Sequence, residues 1–188
     1  MPTIHFIFAH LLGDFVFQSG YLLKWKARSW KGFFLHGMIH FGLYLLVFFP
    51  FLLKWEAWAT ILLVSAIHTG IDDMKLWADR TNKRYLRNFW VDQAAHLGVL
   101  LIGGYVIAGL DVILPVNEFF ELIYANYYLF VYLSLCVVVG PVVAISRYRK
   151  GLEEGKKAAF KWNFTEIFKR IAVVTVLYAI LMVLGLMF

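Results

Sequence analysis

The chain has 188 residues, of which 62% are hydrophobic, 19% are aromatic and only 16% are charged, and its mean hydropathy is +0.72. Soluble domains contain about 45–50% apolar and about 25% charged residues, so this composition excludes an ordinary soluble domain and predicts a protein that has lipid as its solvent. The formal charge is +6, which in such a protein is typical of basic cytoplasmic loops and not of nucleic-acid binding.

Six stretches of the chain are long and apolar enough to cross a bilayer, which takes about 20 residues of helix. In chain order they cover residues 3–20, 32–53, 57–75, 88–110, 127–146 and 167–188. The fifth stretch contains Gly140 followed by Pro141, where we expect a kink. The sequence therefore predicts an all-α integral membrane protein with six transmembrane helices.

These helices divide the chain into three parts. Residues 1–110 hold the first four helices, which we expect to form a bundle around a cluster of His and Asp residues. Residues 111–126 form a predicted external link in the membrane interface. Residues 127–188 hold two accessory helices without His, Asp or Glu in their central parts. Three roles are open for them: they enclose the site, bind a lipid tail, or form the contact surface of a homo-oligomer.

The basic residues are unevenly distributed among the links between helices. Of the 18 Lys and Arg residues, 17 lie in or beside the links that follow the first, third and fifth helices, and only Lys54 lies in another link. Because cytoplasmic links carry the excess of Lys and Arg, we expect these three links inside the cell and both termini outside.

Each of the first four helices carries two candidate metal ligands four residues apart. Residues at this spacing share one face of a helix. Ionisable groups at membrane depth cost at least ~2.5–3.5 kcal/mol each, and they usually mark a functional site. In chain order the pairs are His10 and Asp14, His36 and His40, His68 and Asp72, and Asp92 and His96.

The four pairs also match in depth. At about 1.5 Å per residue, one member of each pair lies roughly 5–10 Å from the predicted cytoplasmic boundary, and the other lies about one turn, ~6 Å, deeper. The shallower members are Asp14, His36, Asp72 and Asp92, and the deeper members are His10, His40, His68 and His96. The sequence therefore predicts one cluster of two layers.

Imidazole and carboxylate ligands without thiolate suit Zn, Mn, Fe or Ni. Eight groups exceed the needs of one tetrahedral ion, so we expect one or two divalent ions. The predicted catalytic carboxylates are Asp14, Asp72 and Asp92. The residues predicted to orient the ligands are Gln18, Lys75 and Gln93. For any single pair, hydrogen bonding between helices is the commoner role, whereas four pairs at matched depth favour metal binding. A metal-free proton or ion relay is an alternative for the whole cluster.

Four motifs carry a resemblance to a known family. They are His10-Leu-Leu-Gly-Asp14-Phe with Gln18, His36-Gly-Met-Ile-His40, His68-Thr-Gly-Ile-Asp72 with Lys75, and Asp92-Gln93-Ala-Ala-His96. Over residues 1–110 the chain resembles the bacterial family catalogued as domain of unknown function 3307, which implies a bacterial inner (cytoplasmic) membrane protein. It is less closely similar to inner-membrane metal-dependent hydrolases described as LexA-binding, whose longer His-Arg-Gly…Thr-His-Ser element is here only the second motif.

The pattern favours a metal-dependent intramembrane hydrolase that acts on a lipid or lipid-linked phosphoester at the cytoplasmic leaflet, with water activated by the metal. The basic residues expected to attract an anionic head group are Lys24, Lys26, Arg84 and Arg87. A metal-ion or proton transporter is the alternative, and a membrane subunit with a structural metal site is a third. The ligands are confined to the inner half of the bundle, which favours an enzyme.

The charge distribution generates a prediction of topology. Reporter fusions after Arg84 and after Glu153 are expected to read as cytoplasmic, and a fusion after Glu118 as external, because basic links stay inside. An external signal at either of the first two sites would contradict both the orientation and the depth argument.

Overall fold

A computed structural model describes residues 2–18, 20–110, 126–155 and 164–184, and every regular element in these ranges is helical. The helices are α1 (Pro2–Leu11), α2 (Gly20–Lys26), α3 (Trp30–Val47), α4 (Trp55–Asn82), α5 (Tyr85–Ala108), α6 (Tyr127–Glu153) and α7 (Phe164–Val183). A π-helical segment, Leu12–Phe17, continues α1, and a short 3₁₀ helix, Phe49–Phe51, joins α3 to α4. The all-α prediction is confirmed for these residues. The predicted interfacial link at 111–126 lies outside them except for its last residue.

Several helix boundaries differ from the predicted ones. The first link contains α2, where a loop was expected, and Ser29 then caps α3 by accepting a hydrogen bond from the Lys31 backbone N–H at 3.3 Å. The last residue of helix α4 is Asn82, seven residues beyond the predicted end. The next residue, Lys83, terminates the helix because it adopts a left-handed conformation with φ of 54°. Helix α6 continues through Pro141 as one element.

Two of the described helices, α5 and α6, are long and apolar enough to span a membrane. Pro2–Phe17 and Ile171–Val183 are shorter apolar helices. Helices α3 and α4 contain the polar residues of the cluster, which lower their average hydropathy. Their exposed side chains are nevertheless mostly large and apolar, as at Phe34, Met38, Leu62 and Ile67.

Four helices form a closed ring. Helix α1 packs against α3 and α5, and α4 packs against the same two helices. Helix α2 folds back on α3, α6 packs against α1 and α5, and α7 packs against α6. This arrangement directs one face each of α1, α3, α4 and α5 toward a shared interior, so these faces position the candidate site.

One end of the ring is filled with apolar side chains, which we call the apolar plug. On every helix of the ring the plug residues lie beyond the histidine, on the side away from the aspartate layer. They are Phe6 on α1, Tyr44 on α3, Ile61 and Val64 on α4, and Leu100 and Ile107 on α5, and all are buried. The plug closes the interior at that end.

The plug generates a prediction of stability. Ile61 is fully buried, whereas its neighbour Leu62 is 61% exposed. Replacing Ile61 by Ala leaves a cavity and is expected to destabilise the protein by ~2–5 kcal/mol. Leu62→Ala is the matched control and should have little effect, because the Leu62 side chain is exposed and its removal leaves no internal cavity. Thermal unfolding in one detergent compares the two. Equal melting temperatures would contradict the plug.

Candidate metal centre

The interior of the ring brings all eight predicted ligands into one cluster. Seven of them are buried, and only the Asp14 side chain, 11% exposed, reaches the surface. The imidazole rings are packed against each other, with centroid separations of 3.8 Å between His40 and His68 and 4.4 Å between His68 and His96. The i, i+4 pairs therefore face one another, in the arrangement that their shared helix faces predict.

The π-helical segment positions Asp14. Its wider turn begins at Leu12, where α1 ends, and brings Asp14 Oδ1 to 3.3 Å from His36 Nε2 and 3.2 Å from His40 Nε2, both on α3. Gly13 is required beside it, because a Cβ there would overlap the His40 imidazole. Single π-helical turns are frequent at functional sites, and here the turn brings α1 within ligand distance of α3.

One group of potential ligands consists of Asp14, His36, His40 and His68, whose ligand atoms all lie within 4.8 Å of one another. His36 Nε2 is 3.3 Å from His68 Nε2 and 3.3 Å from Asp14 Oδ1. Ligands at about 2.0–2.1 Å from a tetrahedral ion are separated by about 3.3–3.4 Å. The spacing of these atoms therefore matches that around a metal ion.

Protein hydrogen bonds alone do not satisfy this group. His36 Nε2 lies within 3.3 Å of polar atoms of Asp14, Asp72 and His68. An imidazole nitrogen offers either one hydrogen or one lone pair, so it cannot pair with all three. A cation shared by the surrounding nitrogen and oxygen atoms resolves the conflict, because each of them can then act as an acceptor.

Several buried polar atoms in the cluster have no hydrogen-bond partner among the described residues. Leaving such an atom unpaired costs about 1–3 kcal/mol, so this interior is not stabilised by hydrogen bonds alone, and the clustered His and Asp groups are positioned to hold a metal ion. The atoms are both ring nitrogens of His10, Nδ1 of His40, His68 and His96, and Oδ1 of Asp92.

A second group consists of His68, Asp72 and His96, and it shares His68 with the first. His68 Nε2 lies 3.4 Å from Asp72 Oδ2, and His96 Nε2 donates to the backbone carbonyl of His68 at 3.3 Å. In the same place Lys26 Nζ donates to Asp72 Oδ2 at 2.7 Å, and both side chains are only 3% exposed. The second group therefore already contains one cation.

The expectation that Lys26 attracts a head group at the surface is wrong. The end of α2 lies so close to α3 that a Cβ on Gly32 would be 2.8 Å from the Lys26 backbone nitrogen. This close approach carries the lysine side chain into the cluster. The sequence gives no signal that one lysine of a basic link is buried, so this burial could not be predicted. The nearby Lys24 is exposed, as a residue that faces lipid head groups must be.

Two predicted ligands, His10 and Asp92, belong to neither group. His10 Nε2 is 3.5 Å from Asp14 Oδ2, and its ring lies 4.9 Å from that of His96. Asp92 Oδ1 is 3.7 Å from His96 Nδ1, while its Oδ2 accepts a hydrogen bond from Gln93 Nε2 at 3.0 Å. These two residues border the candidate metal positions without completing either.

The residues predicted to orient the ligands lie next to the cluster. Gln18 Nε2 is 3.2 Å from the ring nitrogens of His36. Gln93 holds Asp92, and Lys75 interacts electrostatically with the same carboxylate. Each of the three therefore contacts or influences a cluster residue.

Residues 3–119 match the family described as a protein of unknown function (DUF3307). The matched segment contains all eight cluster residues, so the family resemblance based on the four motifs is confirmed. No curated protein and no solved structure matches the chain. The similarity to metal-dependent hydrolases stays a prediction.

The contact between Gly13 and His40 generates a prediction. Gly13→Ala is expected to displace the His40 imidazole and to lower zinc affinity at least ~10–100-fold, the loss typical of disturbing residues around a metal. Gly42→Ala on α3 is the matched control, because a Cβ there meets no atom within 4 Å. Zinc titrations of detergent-purified protein compare the two variants. Unchanged affinity in Gly13→Ala would contradict this geometry.

Proposed function

We propose that this chain, which belongs to the DUF3307 family, is a metal-dependent hydrolase of the bacterial inner membrane, and that its substrate is a lipid or lipid-linked phosphoester in the cytoplasmic leaflet. One observation carries the proposal. Nitrogen atoms of three histidines and an oxygen of Asp14 converge at the spacing of metal ligands. Asp92 adds a buried carboxylate oxygen, Oδ1, which accepts no hydrogen bond from the described residues and lies 3.7 Å from His96 Nδ1.

The proposal places six helices across the membrane: α1 with its π-helical continuation, α3, α4, α5, α6 and α7. The apolar surfaces of α3 and α4 support their inclusion, because the polar residues on them are buried in the ring and Phe34, Met38 and Leu62 are exposed. Apolar side chains of this kind can be exposed to lipid hydrocarbon without a solvation cost, because lipid tails are equally apolar. The alternation of basic links supports an orientation with both termini outside.

The ion of the proposed enzyme is a divalent transition metal such as Zn, Mn, Fe or Ni, held by Asp14, His36, His40 and His68. When bound, it supplies Lewis-acid activation of water and of the scissile bond. Asp92 accepts the proton of the attacking water through Oδ1, while Gln93 holds Oδ2 and so fixes the orientation of the carboxylate. Proton acceptors of this kind contribute about 10²–10⁴-fold to a rate.

The surroundings of Asp14 favour a lipid substrate. This carboxylate is the one member of the cluster that reaches the surface, and the residues that follow it on the π-helical segment include Val16 and Phe17, which are 57% and 52% exposed. An acyl or isoprenoid chain can lie against such side chains while its polar end approaches Asp14. A separate surface cleft at the connection of α4 with α5 is lined by three basic residues, Trp90 and one acidic residue, Glu153, and its net positive charge suits an anionic head group. The basic residues are Lys83, Arg84 and Arg87.

The apolar plug favours an enzyme over a carrier. A carrier requires alternating access to its site from both sides of the membrane. Here Phe6, Tyr44 and Leu100 are buried beyond the histidines. The Tyr44 hydroxyl is a polar atom among them, but no ionisable carboxylate, imidazole or ammonium belongs to the plug. A hydrolase needs access from one side only.

The test separates metal binding from hydrolysis. Protein purified without chelators is expected to contain a transition metal, and His68→Ala should lose it, because both ligand groups include His68. Asp92→Asn should retain the metal but hydrolyse phospholipids or isoprenoid phosphates in mixed micelles ~10²–10⁴-fold more slowly. Asp73→Asn is the matched control, since Asp73 is exposed.

Each contrary result has a definite meaning. Wild-type protein that cannot be loaded with Zn, Mn, Fe or Ni would refute the metal centre. A metal-loaded protein without hydrolytic activity toward any lipid phosphoester would indicate a structural metal site. Metal or proton flux in proteoliposomes that is lost in His68→Ala would overturn the enzyme in favour of a transporter.

A further inference from the structure

Lys26 is the one lysine that the described structure buries in the cluster, and the backbone holds it there. Its ammonium group lies 2.7 Å from Asp72 Oδ2. The absence of a side chain on Gly32 lets the end of α2 approach α3, and Arg80 Nη2 on α4 donates to the carbonyl of Ala27 at 2.7 Å. Lys26 is therefore anchored between α3 and α4 by contacts on both sides of it.

The two ligand groups compete with each other. Both groups include His68, and in each group every residue, His68 among them, offers a single ligand atom. A neutral imidazole has a single nitrogen lone pair, so His68 can ligate an ion in only one group at a time. The position of the ion must then depend on which group offers the more favourable surroundings to a positive charge.

Lys26 makes the second group unfavourable. The Asp72 oxygen nearest to the His68 ring is Oδ2, 3.4 Å from Nε2, and the Lys26 ammonium lies 2.7 Å from this oxygen. A metal ion bound to Oδ2 would lie about 2.0–2.2 Å from it. The two cations would then be at most about 4.9 Å apart in a site without bulk water, where like charges repel strongly. The carboxylate of the first group, Asp14, contacts histidines and no lysine among the described residues. The charge of Lys26 reaches this group through His36, whose Nε2 lies 3.1 Å from Asp72 Oδ2, and so acts at one ligand of four.

We propose that Lys26 is an internal cation that occupies the Asp72 position and confines a single divalent ion to Asp14, His36, His40 and His68. This inference rests on the proposed function in so far as that function requires a metal. Lys26 acts as a positioning residue, because it determines through Asp72 where the ion sits. The centre is therefore mononuclear, although two overlapping groups of ligands are present.

The experiment compares zinc affinities and stoichiometries of detergent-purified full-length variants. Wild-type protein should bind one zinc ion. His40→Ala should bind it at least ~10–100-fold more weakly, whereas His96→Ala should change the affinity much less, because His96 belongs only to the blocked group. In the double variant Lys26→Gln/His40→Ala, Asp72 is released to ligate with His68 and His96, so the affinity should recover at least tenfold relative to His40→Ala.

Lys24→Gln/His40→Ala is the matched control, because Lys24 is an exposed lysine of the same helix, and it should show no recovery. Two zinc ions per wild-type chain, an equal loss in His96→Ala and His40→Ala, or no recovery in the folded Lys26→Gln double variant would each overturn the inference while leaving the metal centre in place. Wild-type protein that binds no zinc would overturn both. If the Lys26→Gln variants do not fold, the first two comparisons decide.

Discussion

Polar groups that are removed from water must find partners within the protein, and this requirement organises the bundle. An ionised carboxylate in apolar surroundings is strongly unfavourable unless it is paired. In the ring of α1, α3, α4 and α5, Asp72 is paired with Lys26, and Asp14 lies between His36 and His40. Each of these contacts joins different helices. The pairing of these two carboxylates therefore constrains how closely the helices approach and which faces they turn inward, while other polar atoms of the cluster stay without a hydrogen bond among the described residues.

The backbone departs from regular helix where the site requires it. The π-helical segment after α1 carries Asp14, and Gly13 within it leaves room for the His40 ring. Gly32 likewise leaves room at the contact of α2 with α3, and the resulting close approach lets the Lys26 side chain enter the cluster. These departures supply the close approaches that straight helices with larger side chains would prevent. They are local, and the remaining length of each helix packs in the ordinary way around the apolar plug.

The interior of the ring is divided into a polar part and an apolar part. The polar part contains the ligands and opens to the surface through Asp14, whereas the plug fills the other end with Phe6, Tyr44 and Ile61. An interior of this kind suits chemistry on a molecule that arrives from one side. The exposed apolar side chains beside Asp14 suit a substrate that arrives from lipid. Lys26, at the end of α2, adds a positive charge to the polar part, and in the proposed centre this charge limits the number of metal ions.

The sequence by itself determined that the described part of the chain is all-α. It also determined which faces of the first four long helices are polar and that the four pairs of His and Asp residues belong together. Spacing along one helix is a property of the chain alone. The family followed from the same motifs. Only the tertiary structure decided that Asp14, His36, His40 and His68 form one group, that His10 and Asp92 stand beside the candidate positions, and that Lys26 is buried. Helical periodicity specifies the direction of a side chain relative to its own axis. It does not specify how far neighbouring axes are shifted, how a π-helical turn rotates a carboxylate, or how closely a glycine lets two backbones approach, and those distances choose the partners.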